Sequence, residues 1–400
     1  MSLTSPLSLL TTTAAVLVAG SASAALLPPT QVVDGPVDGT VVVAGPTAVL
    51  ELRDGGLIRD EAPANIDFFS VGGIDAQDHA TVQITGGAIE VAGEPAAGVN
   101  LRNSDLLMTG GRIESIARST SSAGERTDGS HQSTVTITGG TLDISVENPD
   151  AFGIRGGGID ASASGSSRID LRLSGGTSNG GIIARAFDSA TVDVQLSGGT
   201  YGAAFLSANS ASGAVHLAMS DGVLNPFPFS NRAALQLSQS GLGDRGGTVS
   251  ATITGGTIGS GSSSIDAYDD ASLTITGGTL NGGLQIDGSA TAEILGGSFT
   301  SAFGNPALTV RSNATVTLHT FNNLALDGTP IRVDPVELAV VRPLTATGGI
   351  LTGTLIDGSV FAFNLVVEDD ATLNVVVIPE PATATLVLAG LTALVRRRRS

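Results

Sequence analysis

Cysteine is absent from the 400 residues, which excludes disulfides and thiolate metal sites. Tryptophan is absent as well, and two tyrosines and 12 phenylalanines leave few flat faces on which sugar rings can stack. Lysine is missing altogether. The 19 basic residues are all arginines, set against 37 acidic residues for a formal net charge of −18. A body this acidic excludes nucleic acid as a partner, because phosphate binding needs clustered cations. It suits solubility outside a cell. Only 14% of residues are charged, whereas glycine numbers 54.

What the chain has in place of charge is a recurring phrase. Thr81-Val82-Gln83-Ile84-Thr85-Gly86-Gly87 returns as Ser133-Thr134-Val135-Thr136-Ile137-Thr138-Gly139-Gly140 and as Ser272-Leu273-Thr274-Ile275-Thr276-Gly277-Gly278. Looser copies end at Gly56, Gly111, Gly176, Gly199, Gly222, Gly256 and Gly297, at intervals of 19 to 36 residues. A period in this range marks a solenoid. Alternation of apolar and polar residues predicts a half-buried strand, rich in the β-branched residues that suit a pleated surface. The two glycines then allow positive φ and a sharp bend. A short strand follows, as in Thr141-Leu142-Asp143-Ile144. Another precedes each phrase, as in Gly283-Leu284-Gln285-Ile286, and ends in a polar corner such as Asp188-Ser189, Asp269-Asp270 or Asp287-Gly288.

Three strands and three corners per period make one coil of a single-chain parallel β-helix, all-β, with Val82 and Ile84, Val135 and Ile137, Leu273 and Ile275 stacked in interior ladders. Ten coils or more, spaced like strands in a sheet, predict a rod roughly 50 Å long. The body resembles the right-handed parallel β-helix proteins, a group of pectin-type lyases, polygalacturonases, adhesins and autotransporter passengers. That likeness concerns the fold and is a weak guide to chemistry.

Both ends of the chain carry apolar segments. Residues 7–20 are mostly apolar and Ala22-Ser23-Ala24 supplies a small-x-small cleavage pattern, so 1–24 reads as an export signal helix with Ala22 and Ala24 as the small residues of its cleavage site, although no Lys or Arg precedes the apolar run. Residues 25–40 read as a linker, 41–323 as the parallel β-helix, and 324–377 as terminal coils with a β cap. Residues 378–400 form a tail. Pro379, Glu380 and Pro381 are followed by a fourteen-residue apolar run over 382–395, a hydrophobic helix short for a membrane span, and then by Arg396, Arg397, Arg398 and Arg399. The arginines would stay on the cytoplasmic side. This ordering closely resembles the PEP-CTERM sorting tail of exported bacterial proteins, which exosortase, a membrane-embedded cysteine transpeptidase, processes. The resemblance implies recognition at Pro379, Glu380 and Pro381, cleavage nearby, a transient stay at the inner membrane, and a Gram-negative bacterium that makes exopolysaccharide.

No catalytic constellation stands out. A lyase needs a base beside a carboxylate, and lysine is absent; Arg168 and Arg172 share a strand face but read as solvated. Asp269-Asp270 and Asp369-Asp370 fall at turns, not as the paired carboxylates of a hydrolase. His79, His131, His216 and His319 are far apart, without metal-ligand spacing. No metal or cofactor is expected. The one opening is calcium at a carboxylate column formed by Asp78, Asp188, Asp270 and Asp287, although the nonapeptide calcium repeat is missing. Tyr201, Phe68, Phe69 and 227–229 are the candidate aromatic platforms. The expected function is non-enzymatic: an exported surface or matrix rod that meets polymer through repeated polar ladders, exosortase and extracellular polysaccharide being its partners. A polysaccharide lyase or glycoside hydrolase, and a calcium-dependent self-associating coat, are the alternatives.

Overall fold

The computed structural model describes residues 26–61, 70–92, 96–114, 116–122, 132–143, 158–225, 233–238, 246–259, 263–300, 308–321, 323–331, 340–345, 347–368 and 370–378. Among them the chain is all-β, strands joined by turns, in two long sheets dominated by parallel pairing.

The recurring phrase supplies the first strand of each coil. Thr81–Ile84 pairs in parallel with Asp105–Met108, that strand with Gln132–Ile137, and that one with Arg168–Ser178. The succession runs from Gln31–Val33 to Thr372–Ile378, thirteen strands deep among the described residues. At about 4.8 Å per strand this solenoid-like stack is roughly 58 Å long. Three of the thirteen lie outside the ten phrases. Gln31–Val33 falls in the stretch read as linker, where Pro36–Asp38 also pairs with Leu57–Glu61, so the stack starts before residue 41. Strands of three residues are too short for alternation to show in the sequence. At the other end Thr315–Phe321 and Thr372–Ile378 pair without any glycine pair after them.

Alternation places the aliphatic side chains inside. Val82, Leu106, Val135, Leu171, Val194 and Leu217 form one column in direct register, and Ile84, Met108, Ile137, Leu173, Leu196 and Met219 the next, every one of them buried. The second strand adds Ile58, Ile89, Ile113 and Leu142, and the third adds Ile74, Val99, Ile159 and Ile182. Each fully buried aliphatic side chain contributes about 1.5–3 kcal/mol, and each coil rests only on its neighbours.

The glycine pairs divide their work. In nine phrases only the second glycine has positive φ: Gly87, Gly111, Gly140, Gly176, Gly199, Gly222, Gly256, Gly278 and Gly297. In the earliest phrase it is Gly55, not Gly56. The first glycine is required for another reason, close approach between coils. A Cβ on Gly110 would lie 2.5 Å from the Thr85 carbonyl oxygen, and one on Gly139 would lie 2.3 Å from that of Thr109. Asp221 is the one side chain at this first position among the described pairs, its carboxylate accepting from the Gly222 N–H at 2.7 Å. In some coils the first and second strands run on across the glycines, as in Arg168–Ser178 and Thr191–Tyr201, with a shift of register there.

The far end is closed by chain reversal. Val360–Val367 and Thr372–Ile378 continue the parallel stack, but Gly348–Thr354 and Val341–Pro343 pair with them antiparallel. Asp357 reaches back to accept the Gly297 N–H at 2.9 Å, and Phe363 packs against Phe299 and Phe361 with ring centroids 5.1 and 4.7 Å apart.

Candidate functional site on the outer faces

Residues that alternate with the core columns form outward columns, and these are what the stack presents to solvent. The second-strand column reads Thr141, Thr177, Thr200, Val223, Thr257, Thr279 and Ser298, successive residues paired in register. All are exposed or half-buried. On the first strand the C-terminal coils present Ser250, Ser272, Thr291, Thr315 and Thr372 beside Thr252, Thr274, Glu293, Thr317 and Asn374. Hydroxyl groups both donate and accept, so this face offers shallow, repeated, nearly uncharged hydrogen bonding.

The middle coils interrupt it with charge. Arg168 and Arg172 do point out on one face, 54% and 50% of each side chain exposed. They are partnered, however. Arg168 bonds Asp170 at 2.7 Å and Asp193 at 2.9 Å, Arg172 lies 3.7 Å from Asp170, and Gln132 donates to Asp170 at 2.7 Å. The network ties three coils together and leaves no base beside a free carboxylate. His216 bonds the Ser250 hydroxyl at 2.7 Å. His319 is half-buried, its Nε2 without a hydrogen-bond partner, and burial lowers its pKa against the opposing pull of Glu293. The two histidines stand in separate coils, as their sequence spacing implies.

The third-strand face holds two polar clusters that sequence reasoning missed. Burial pushes the Asp75 carboxyl up, but hydrogen bonds from Arg102, Asn100 and Gln77 hold it below the ordinary range. The second cluster goes the other way. Asp266 is 8% exposed, and burial raises its pKa despite hydrogen bonds from Ser263 and Tyr268; Asp287 adds to the rise. Tyr268 is raised by burial and then by Asp266. The signal was present as Asp266 between inward Ile265 and Ala267, but nothing in the sequence says that an outward carboxylate becomes covered.

The proposed acidic column is out of register. Asp78, Asp188 and Asp269 hold the left-handed corner position, with φ near +55°, so Asp270 lies one residue beyond it and Asp287 one residue before its own corner at Gly288. These corner groups are engaged by hydrogen bonds instead. Asp188 accepts the Gly165 N–H at 3.1 Å, Asp269 the Ser238 hydroxyl at 3.0 Å, and Asp287 the Ser312 hydroxyl at 2.7 Å. Among the described residues no three His, Cys, Asp or Glu side chains group as a metal site. Tyr201 is no stacking platform: it fills the inner column beside Ser178 and donates its hydroxyl to the Gly175 carbonyl.

Ala22, Ala24, Pro379, Glu380, Pro381 and Arg396, Arg397, Arg398 and Arg399 lie outside the described residues, as do His131, Phe68, Phe69, Asp369 and 227–229. No helix among the described residues is long and apolar enough to cross a membrane. Comparison with protein-family models, curated proteins and solved structures returns no match.

Proposed function

We propose that the chain is an exported single-chain parallel β-helix, carried by an N-terminal signal helix and sorted by a C-terminal hydrophobic helix, that acts as a structural and adhesive component of the cell surface or extracellular matrix. In this reading exosortase recognises Pro379, Glu380 and Pro381 while Arg396, Arg397, Arg398 and Arg399 hold the tail at the inner membrane of a Gram-negative bacterium. The shaft then meets extracellular polysaccharide through many weak contacts that add by effective concentration. The observation that carries the reading is the register-paired column from Thr141 to Ser298, hydroxyl-bearing at every position but Val223. Polysaccharide is itself a repeating array of hydroxyls. The test is to incubate the purified chain with insoluble polysaccharides. Retention without new reducing ends or unsaturated products is expected, and no retention on any polymer refutes it.

One observation favours a second reading, a glycoside hydrolase. Asp266 combines burial with a raised pKa, the character of a general acid, and Asp287 is near enough to perturb it. Reproducible turnover that Asp266→Asn abolishes would replace the non-enzymatic reading.

A further inference from the structure

One outward column of the first strands is covered where it begins. Glu51, Gln83, Leu107 and Thr136 stand in register on successive coils, and the column continues to Asn374. Among its described members only Glu51, Gln83 and Leu107 are buried. Alternation alone would leave them facing water, as it leaves the rest of the column. The cover has to come from elsewhere in the chain.

It comes, at Gln83, from the residues that precede the first strand. The Gln83 Nε2 donates to the Leu27 carbonyl at 3.0 Å, and its Oε1 is buried without a hydrogen-bond partner, so the amide is sealed from water. Thr30 is pinned to Val49: its N–H donates to the Val49 carbonyl at 2.8 Å, and its hydroxyl accepts the Val49 N–H at 2.9 Å. Thr30 therefore continues Gln31–Val33 on the first coil, while Leu27 reaches the Gln83 coil, two coils along. Residues 27–30 cross the strands instead of joining them. Pro28 and Pro29 suit that path, because a residue without an N–H leaves no donor orphaned where no ladder can accept it. Leu26 and Leu27 are each about half covered.

We propose that residues 26–30 are a strap that closes over the first coils only once the export signal has been removed. Leu27 lies three residues from Ala24, a span of at most about 11 Å. The headgroup layer takes about 5–8 Å of it. While residues 1–24 are held in a bilayer, Leu27 meets Gln83 only if the flank of the rod lies against lipid, which a chain of net charge −18 resists at an anionic surface. Gln83 and Leu107 then stay open, and the first coils are the last part of the rod to be completed. The timing rests on the export reading; the strap itself does not, and neither depends on polymer binding.

The chain has no cysteine, so one introduced thiol reports the cover. Leu107→Cys keeps the bond between Gln83 and Leu27, and Gln83→Cys is the second reporter. Each is placed in three forms, all mixed with phosphatidylglycerol-containing vesicles: the chain starting at Ala25, the uncut chain with Ala22→Leu and Ala24→Leu to block cutting, and that uncut chain with twelve Gly and Ser residues inserted after position 24. Maleimide labelling is expected to be about tenfold faster in the uncut form than in the form starting at Ala25. The spacer adds up to about 40 Å and returns labelling to the slow rate. Equal rates in the uncut and Ala25 forms overturn the proposal, whether both are fast or both slow, and so does a spacer without effect. Flotation of the uncut chain ended at Ile378 checks the export reading separately. If that chain stays off the vesicles, the export reading and the timing both fall, while fast labelling of the Ala25 form in solution is what refutes the strap.

Discussion

Three glycine-to-alanine substitutions separate the two demands that the corner makes. Gly328 and Gly111 have almost the same backbone angle, φ +76° and +75°, but a Cβ on Gly328 meets nothing within 4 Å whereas one on Gly111 lies 2.6 Å from the Gly86 carbonyl oxygen. Gly110 is the complement: its φ is not positive, yet its Cβ would lie 2.5 Å from the Thr85 carbonyl oxygen. An L-residue forced left-handed costs about 1–2 kcal/mol, offset by about 0.4–1 kcal/mol from the stiffer unfolded chain, so Gly328→Ala costs about 1 kcal/mol. Overpacking against backbone adds roughly 1–3 kcal/mol, which less the same offset is the whole expectation for Gly110→Ala. Gly111→Ala carries both and, with the same offset, costs roughly 1–4.5 kcal/mol. Urea unfolding gives the order, and hydrogen exchange locates the damage, which belongs in Thr81–Ile84, Asp105–Met108 and Gln132–Ile137 because coils feel only their neighbours. If Gly110→Ala and Gly111→Ala prove no worse than Gly328→Ala, coil-to-coil approach does not set the corner and the account of the glycine pairs is wrong.

Ile275→Ala, in the inner column between Ile253 and Ile294, costs about 2–5 kcal/mol, and its exchange protection fails first in those two neighbours. Asp266→Asn stabilises the chain at neutral pH. The folded carboxyl titrates above its unfolded value, so its stabilising influence holds in acid and is lost as pH rises. Melting temperatures of variant and parent therefore converge below the ordinary carboxylate range of about 4 and separate above it. His319 has the opposite linkage: its folded pKa is lowered, so stability is present above the ordinary histidine value and is lost as pH falls. His319→Leu, in register with Val376, removes that part of the acid sensitivity between about pH 7 and 5; an unchanged difference in melting temperature over that interval refutes the assignment.

The sequence showed the columns but not what surrounds them. Val82 to Ile84 and its copies could be read because a strand buried on one face must alternate, and a repeated alternation must stack. The doubling of glycine was legible only in part. Positive φ is a property of one residue and follows from residue type, whereas the need for Gly110 arises from Thr85, a coil away. The same distance defeats the acids. Asp75 gains Arg102 and Asn100 from the next coil, and Asp78, Asp188, Asp270 and Asp287 look equivalent until the corner angles put Asp270 and Asp287 out of step. Gln31–Val33 was hidden because three residues carry too little pattern to distinguish a strand from a linker.

If the shaft works by repetition, its length is a variable and not a requirement, and one coil can be taken out. Removing residues 254–275 joins Ile253 to Thr276 in phase. Each lost group has a replacement in register: Gly277-Gly278 for Gly255-Gly256, Leu284 and Ile286 for Ile265 and Ala267, and Ile294 as the new neighbour of Ile253. The shortened chain should fold, its length falling by about 4.8 Å. Because neighbouring coils supply nearly all the contacts of any one coil, the loss in stability is that of a single repeat and its interfaces. Retention on polysaccharide should weaken in proportion to the hydroxyls removed, Thr254, Thr257 and Thr274 among them, without being abolished. A site concentrated at one locus behaves differently. The glycoside hydrolase reading places that locus at Asp266, within the deleted coil, so complete loss of retention on this deletion, with full retention when residues 169–191 are removed instead, would exclude the distributed surface.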